Sequence, residues 1–144
     1  MKTLKLIYAL EKAYKEVKLM SEVIYDVHCQ VNEIRASEIK DINIVDLSIE
    51  AEGGRITIEM PRNLLPIKEG KRLRIIISRD EGIEKDVDGL FYCTIYKVEK
   101  QRKGKEEMGL IYGSIGGLQV RMEAKGLHRK FKAGDKVFLG VKII

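Results

Sequence analysis

The stretch Val27-His28-Cys29-Gln30-Val31 is followed, 64 residues later, by Phe91-Tyr92-Cys93-Thr94-Ile95. In both stretches every second residue is apolar, which is the pattern of a strand with one face in a core and the other in solvent. The two cysteines fall on the apolar side, so we expect both to be buried thiols. A repeat of this kind predicts two similar halves built from strands.

The same offset continues through most of the chain. The matched positions are Val45, Leu47, Ile49 and Ala51 with Gly109, Ile111, Gly113 and Ile115; Ile56, Ile58 and Met60 with Val120, Met122 and Ala124; Ile67, Lys68 and Gly70 with Phe131, Lys132 and Gly134; and Leu73, Ile75 and Ile77 with Val137, Leu139 and Val141. Since nearly all of these positions alternate along a strand, the offset preserves which side chains face inward. Each half therefore contains four predicted strands.

Short turns separate the predicted strands. Gly53-Gly54 predicts a two-residue hairpin, because glycine adopts positive φ without steric cost. The predicted strands lie at residues 23–31, 45–51, 56–60 and 73–77, and at residues 89–98, 109–115, 118–124 and 136–143, with a charged loop at residues 100–107. Eight short strands joined by hairpins predict an all-β fold, an antiparallel barrel or sandwich, and closure into a barrel would remove exposed strand edges.

The first 20 residues follow a different periodicity. Leu6, Leu10, Ala13, Val17 and Met20 have the spacing of one helical face, which predicts a short amphipathic helix appended to the barrel. The apolar run Leu6 to Leu10 is too short for a signal peptide or a membrane span. We therefore expect a helix at residues 1–20 and a single barrel domain at residues 21–144, with halves at 22–78 and 89–144.

Composition narrows the functional classes. The net charge of +5 permits a nucleic-acid partner without requiring one. Two cysteines outside any Cys-x-x-Cys pair suit a reducing cytoplasm. His28 and His128 lack the spacing of metal ligands, so neither a zinc site nor another cofactor is implied.

The sequence also lacks the pattern of a phosphoryl-transfer centre. Such a centre needs clustered carboxylates to hold magnesium. The acidic residues instead alternate on predicted strand surfaces, as Asp26, Asp46, Glu50, Glu59 and Glu123. Asp86-Val87-Asp88 lies in the charged connection between the halves, where we expect it to be solvated, and neither glycine pair is followed by the Gly-Lys-Ser/Thr of a phosphate loop.

One run carries a family resemblance. Residues 112–122, Tyr-Gly-Ser-Ile-Gly-Gly-Leu-Gln-Val-Arg-Met, are followed by Leu127-His128 and a last strand ending in Lys142. This run resembles the C-terminal signature of the small subunit numbered eight of eukaryotic nuclear RNA polymerases. The upstream run at residues 90–98 is similar to the family's aromatic strand, and order and spacing match over residues 22–144. The length suits the archaeal counterpart, the G subunit of DNA-directed RNA polymerase.

The resemblance implies a fold and a role. The fold is a pseudo-symmetric eight-stranded barrel related to the oligonucleotide-binding fold. The role is noncatalytic and architectural, in the cytoplasm, docked on the largest catalytic subunit near the entry path for nucleotides. Gly116 and Gly117 bare the backbone at a turn, and Arg121 alternates with the apolar residues of its strand. We therefore predict that the partner interface contains Gly116, Gly117, Leu118 and Arg121.

Two other functions remain open at this level. An independent barrel that binds single-stranded nucleic acid could stack bases on Tyr92, Tyr96 and Tyr112 and meet phosphates with Lys97, Arg121 and Lys125. These tyrosines could equally pack against the core or across strands. A small enzyme on a barrel scaffold is the third alternative, which the missing catalytic constellation disfavours.

Overall fold

The computed structural model describes residues 22–51 and 53–144, so the helix predicted for residues 1–20 lies outside the described residues. Eight antiparallel strands form a closed barrel in the order β1-β2-β3-β7-β6-β5-β8-β4, which confirms the predicted fold class. The strands are β1 (Val23–Ala36), β2 (Ile42–Ile49), β3 (Arg55–Pro61), β4 (Arg72–Ser78), β5 (Gly89–Lys103), β6 (Glu106–Ile115), β7 (Leu118–Lys125) and β8 (Lys136–Ile143). Short 3-10 helices span Glu81–Asp86 and Leu127–Arg129.

The two halves are related by an approximate two-fold symmetry. β1 lies between β2 and β4 just as β5 lies between β6 and β8, and the halves join where β3 pairs with β7 and β4 with β8. At these two seams Thr57 lies opposite Arg121, and Ile76 lies opposite Gly140. Each of these residues faces its own counterpart in the 64-residue repeat, as two-fold symmetry requires. The predicted two-half architecture is confirmed.

The predicted matching of β2 with β6 was wrong by two residues. Val45 pairs with Ile34 and Ile58, whereas Ile111 pairs with Val98 and Met122. Ile34 and Ile58 have Val98 and Met122 as their counterparts at 64 residues, so Val45 corresponds to Ile111, at an offset of 66. A slip of two positions keeps every side chain on the same face of its strand, so the alternation could not reveal it.

The hairpin between β2 and β3 also differs from the prediction. Ile49 N donates to Gly54 O at 2.8 Å, and Gly53 N donates to Ile49 O at 3.2 Å, so four residues separate the closing pair. Gly53 has a φ of 68°. Gly54 is needed for another reason: a Cβ there would collide with the carbonyl oxygen of Glu123 on β7. The two-residue hairpin predicted at Gly53-Gly54 was wrong because the second glycine serves close packing.

Residues 100–107 form a hairpin, so the predicted charged loop was wrong. β5 and β6 stay paired up to Lys103 and Glu106, and the turn is Gly104-Lys105, with a φ of 65° at the glycine. This arm carries no apolar alternation, because most of its side chains are exposed. Opposite charges face each other across it, Arg102 opposite Glu107 and Lys103 opposite Glu106, and such pairs favour strand pairing.

The connection between the halves covers one of the two seams. Ile83, on the first 3-10 helix, is buried, and Ile76 on β4 is 3% exposed. A Cβ on Gly140 would meet Val87 Cγ1 at 2.7 Å and Ile83 Cδ1 at 2.9 Å. The Ile76–Gly140 seam therefore lies beneath the connection. The prediction that Asp88 is solvated was incomplete, because its Oδ2 accepts a hydrogen bond from Ile143 N at 2.7 Å.

Both cysteines are free thiols inside the barrel. Cys29 is 0% and Cys93 1% exposed, and burial raises the pKa of Cys29 to about 12 and that of Cys93 to about 11. At pH 8 roughly one Cys93 thiol in a thousand would then be ionised, and neither is accessible. We expect a maleimide to label the native protein slowly, at the rate at which the barrel opens. In denaturant it should label both thiols rapidly. Fast labelling without denaturant would contradict the burial of these strands.

Candidate docking surface

The turn between β6 and β7 leaves the backbone bare. Ile115 pairs with Leu118, and the two residues between them, Gly116 and Gly117, have φ values of 57° and 95°. A Cβ on either glycine would have no heavy atom within 4 Å, so space does not require glycine here. The positive φ at both positions does, as in a type I′ hairpin. The hairpin geometry that the sequence predicted for this pair is confirmed.

Arg121 lies on the outer face of β7. Val120 and Met122 on either side of it are 1% exposed, whereas Arg121 is exposed. Its Cζ lies 5.5 Å from the centroid of the Tyr112 ring on β6, which is within the range of a cation–π contact. The orientation predicted for Arg121 from the alternation is therefore confirmed.

A bulge in β5 gives the Tyr112 ring two further neighbours. Ile95 pairs with Gly113 and Lys97 with Tyr112, so Tyr96 is an extra residue in β5. Because a bulge reorients the side chains beside it, both residues reach the same ring: Lys97 Nζ lies 5.4 Å from its centroid, and the two tyrosine rings lie 6.3 Å apart. The Tyr96 hydroxyl donates to Gln119 Oε1 on β7. We call Tyr96, Lys97, Tyr112, Gln119 and Arg121 the tyrosine face.

Tyr92 does not join this face. Its ring packs edge-on against Phe138 of β8, with centroids 5.3 Å apart. It precedes Tyr96 by four residues on one strand, a distance of about 13 Å at the usual rise. Of the six residues predicted as nucleic-acid contacts, the structure therefore brings together four, Tyr96, Tyr112, Lys97 and Arg121, and leaves out Tyr92 and Lys125. The cross-strand packing predicted as the alternative for the tyrosines is found for all three, since Tyr96 and Tyr112 also pack against each other across β5 and β6.

A groove continues from Arg121 across the open seam between β3 and β7. It has a volume of about 310 Å³ and is lined by Glu33, Arg35, Asp46, Arg55, Thr57, Arg121 and Glu123. Arg55 binds Asp46 through two hydrogen bonds, of 2.8 and 2.6 Å, and Lys103 binds Glu123 at 2.9 Å. Two carboxylates that line this groove with Arg121, those of Asp46 and Glu123, are thus paired with other cations, and Arg121 has no ion-pair partner among the described residues.

The open seam between β3 and β7 has two sides that the repeat relates to each other, but the two sides carry different side chains. In the two-fold relation Asp46 corresponds to Tyr112 and Arg55 to Gln119, as their shared pairing partners require. One side of the seam therefore carries the Arg55–Asp46 ion pair at the positions where the other side carries Gln119 and Tyr112 of the tyrosine face. The sequence prediction missed Gln119, Asp46 and Arg55. In the observed pairing of β2 with β3, Asp46 and Arg55 are diagonal neighbours of opposite charge. The hairpin register predicted from Gly53-Gly54 would have kept them apart.

Family comparison identifies the kind of protein that carries this surface. Residues 24–144 match RpbG, the family of the G subunit of DNA-directed RNA polymerase. The chain belongs to this family. The match covers nearly all of the described residues and agrees with the resemblance seen in the sequence. A comparison with curated proteins finds no match.

As a member of the RpbG family, the chain is a noncatalytic subunit of RNA polymerase. The acidic residues predicted on the strand surfaces bind neighbouring groups of the barrel. Arg74 binds Asp26 and Arg72 binds Glu50, each through two hydrogen bonds, and these bonds lower the pKa of both carboxyls. Glu59 accepts from Gln119 N at 2.7 Å. Asp46, predicted on the surface, is 4% exposed because it lies beneath Arg55.

Two further observations concern the described part of the chain. Its His, Cys, Asp and Glu residues form no group of three or more that could hold a metal ion. None of its helices is long and apolar enough to cross a membrane.

Proposed function

We propose that this RpbG family member docks on the largest, catalytic subunit of the polymerase through the bare turn at Gly116 and Gly117, the rim residue Leu118 and Arg121. The role is architectural: the subunit supports transcription without taking part in the chemistry. Family membership supports a place in the polymerase. The observation that carries the choice of surface is Arg121, a cation on the open seam without an ion-pair partner among the described residues.

The local structure favours a protein partner at this surface. The turn has no side chain of its own at Gly116 and Gly117, so another backbone can approach closely. Leu118 is partly exposed beside it, and Arg is among the residues enriched at interfaces. The connection covers the opposite seam, so the open seam is the freer of the two. We further place the protein in the cytoplasm of an archaeon, where it would assemble with the other polymerase subunits.

Nucleic-acid binding is less well supported. The Tyr112 ring already has Lys97 and Arg121 beside it, and the Lys97 ammonium is bound to Glu99 at 2.9 Å. The Tyr96 hydroxyl is engaged by Gln119. A base would have to displace Lys97 or Arg121 to stack on the part of the Tyr112 ring that they cover. The tyrosine face is therefore better explained as a packed surface beside a protein interface than as a stacking platform.

Site-specific photo-crosslinking in the native polymerase tests the proposal. A benzophenone side chain at Leu118 is expected to crosslink to the largest subunit. The same group at Glu84, which is exposed on the connection over the opposite seam, is the matched control and should give little product. Crosslinking of Leu118 to another subunit would overturn the choice of partner, and crosslinking to RNA alone would favour the nucleic-acid alternative. Equal yields from both positions would show that the surface is wrongly assigned.

A further inference from the structure

One edge of β5 has no strand partner among the described residues. β5 pairs with β8 over Gly89–Thr94 only, but it pairs with β6 as far as Lys103. The two-residue turn at Gly104-Lys105 makes Lys103 and Glu106 the hydrogen-bonded closing pair. Backbone groups alternate along a strand, so those of Val98, Lys100 and Arg102 point away from β6. They form an open edge beyond the end of β8.

The other half of the barrel shows how this edge can be closed. On β1, Ile34 N donates to the carboxylate of Glu69 at 2.9 Å. The counterpart of Ile34 is Val98, and the counterpart of Glu69 is Ala133. The two loops match in detail, since Gly70 N binds Val31 O at 2.8 Å where Gly134 N binds Ile95 O at 2.7 Å. Ala133 is exposed and has no side-chain group that could accept from Val98 N.

The open edge is also positively charged. No ion pair joins Lys100 or Arg102 to a carboxylate within the described ranges, whereas Lys97 and Lys103 are each paired. Arg102 lines a shallow groove with Lys105, Lys125 and Arg129, besides Glu106 and Glu107. Pairing of this edge with the same edge of a second copy would bring lysines and arginines close together, which is unfavourable. Lys100 is near enough to Glu107 to lower the pKa of that carboxyl, and Arg102 lies opposite the same residue, so one carboxylate faces two cations. An acidic chain would find unsatisfied backbone groups and this excess of positive charge.

We propose that the edge of β5 at Val98, Lys100 and Arg102 accepts an extended, acidic segment of another polymerase subunit as an added strand. Backbone hydrogen bonds to the edge would supply the pairing, and Lys100 and Arg102 would select acidic side chains. This inference rests on the proposed role of the chain as a docked subunit and adds a second contact, separate from Leu118 and Arg121. It also predicts that a carboxylate at residue 133 would block the site from within.

The test gives β5 the same carboxylate that accepts from the edge amide of β1, where Glu69 accepts from Ile34 N. Ala133→Glu in the full chain should bind Val98 N as Glu69 binds Ile34 N. We expect its affinity for polymerase reconstituted without this subunit to fall by about tenfold, because one edge donor is occupied and a negative charge is added. Ala133→Gln caps the amide without the charge and should lose less, whereas Ala133→Ser and Glu69→Ala should bind nearly as the native chain. Undiminished binding by Ala133→Glu would overturn the proposal.

Hydrogen exchange gives a second readout that needs no variant. The amides of Val98, Lys100 and Arg102 are expected to exchange fast in the free chain and at least tenfold more slowly in the assembled polymerase. The Gln101 amide, which faces β6, should be protected in both. Unchanged exchange at the edge, together with Leu118 crosslinked to the largest subunit, would reject the added strand and retain the proposed function. Protection at the edge without that crosslink would support the added strand and reject the proposed docking surface.

Discussion

Replacing Gly109 with alanine is expected to lower the free energy of unfolding by about 2 to 4 kcal/mol, the range of severe overpacking in a close-packed interior. Gly109, on β6, lies against the second 3-10 helix. A Cβ there would collide with His128 N and would lie 2.8 Å from Leu127 C and 2.9 Å from Leu127 N. These are backbone atoms, so no change of rotamer can relieve the contact.

Thermal or urea unfolding of the full chain measures this effect, with a decrease in Tm of roughly 5 to 15 °C expected. Gly89→Ala is the matched control. A Cβ at Gly89 meets Leu65 Cδ1 at 2.9 Å, but this atom is the end of a flexible side chain that can turn away, so a loss below about 1 kcal/mol is expected. Equal stabilities of the two variants would contradict the close packing of β6 against the 3-10 helix.

Arg121→Glu is expected to weaken incorporation into the polymerase by about tenfold to a hundredfold, because it reverses a cation on the proposed docking surface and sets like charges against the partner. The barrel should stay folded. Arg121 is exposed, and the loss of its contact with the Tyr112 ring should cost less than about 1 kcal/mol.

Competition between tagged native and variant chains during reconstitution measures the affinity ratio at two salt concentrations. Arg62→Glu makes the same charge change at an exposed residue after β3 and serves as the control, with an expected change below about threefold. Full stoichiometry of the Arg121→Glu chain at raised salt would reject the site. Loss of the folded state would show instead that Arg121 is structural.

The strand pattern predicted the inward-facing residues well. Val27, Cys29 and Val31 on β1 and Val120 and Met122 on β7 are all buried, because side chains on a strand alternate with a period of two whatever the strand pairs with. Pairing register is a different quantity. The two-residue slip between β2 and β6 left this alternation intact, so only the hydrogen-bonded partners revealed it.

The candidate surface was predictable in part. Gly116-Gly117 is a local turn signal, and Arg121 follows from the alternation, so both could be found in the sequence. Tyr112, Tyr96 and Lys97 meet because of the bulge in β5, and Tyr92 leaves the group because Phe138 is its neighbour on β8. These contacts join residues from different strands, and no short-range pattern encodes them.

The two-half repeat, the eight strands, the buried thiols and the family all follow from the order of the residues, because they depend on periodicity, on local turn chemistry and on a long ordered match. The closure of the barrel, the seams at Thr57–Arg121 and Ile76–Gly140, and the contrast between Glu69 and Ala133 at equivalent strand edges emerge once the strands are assembled. The physical reason is that a strand's faces are set by its own residues, whereas its partners, its bulges and its open edges are set by segments that lie far away in sequence.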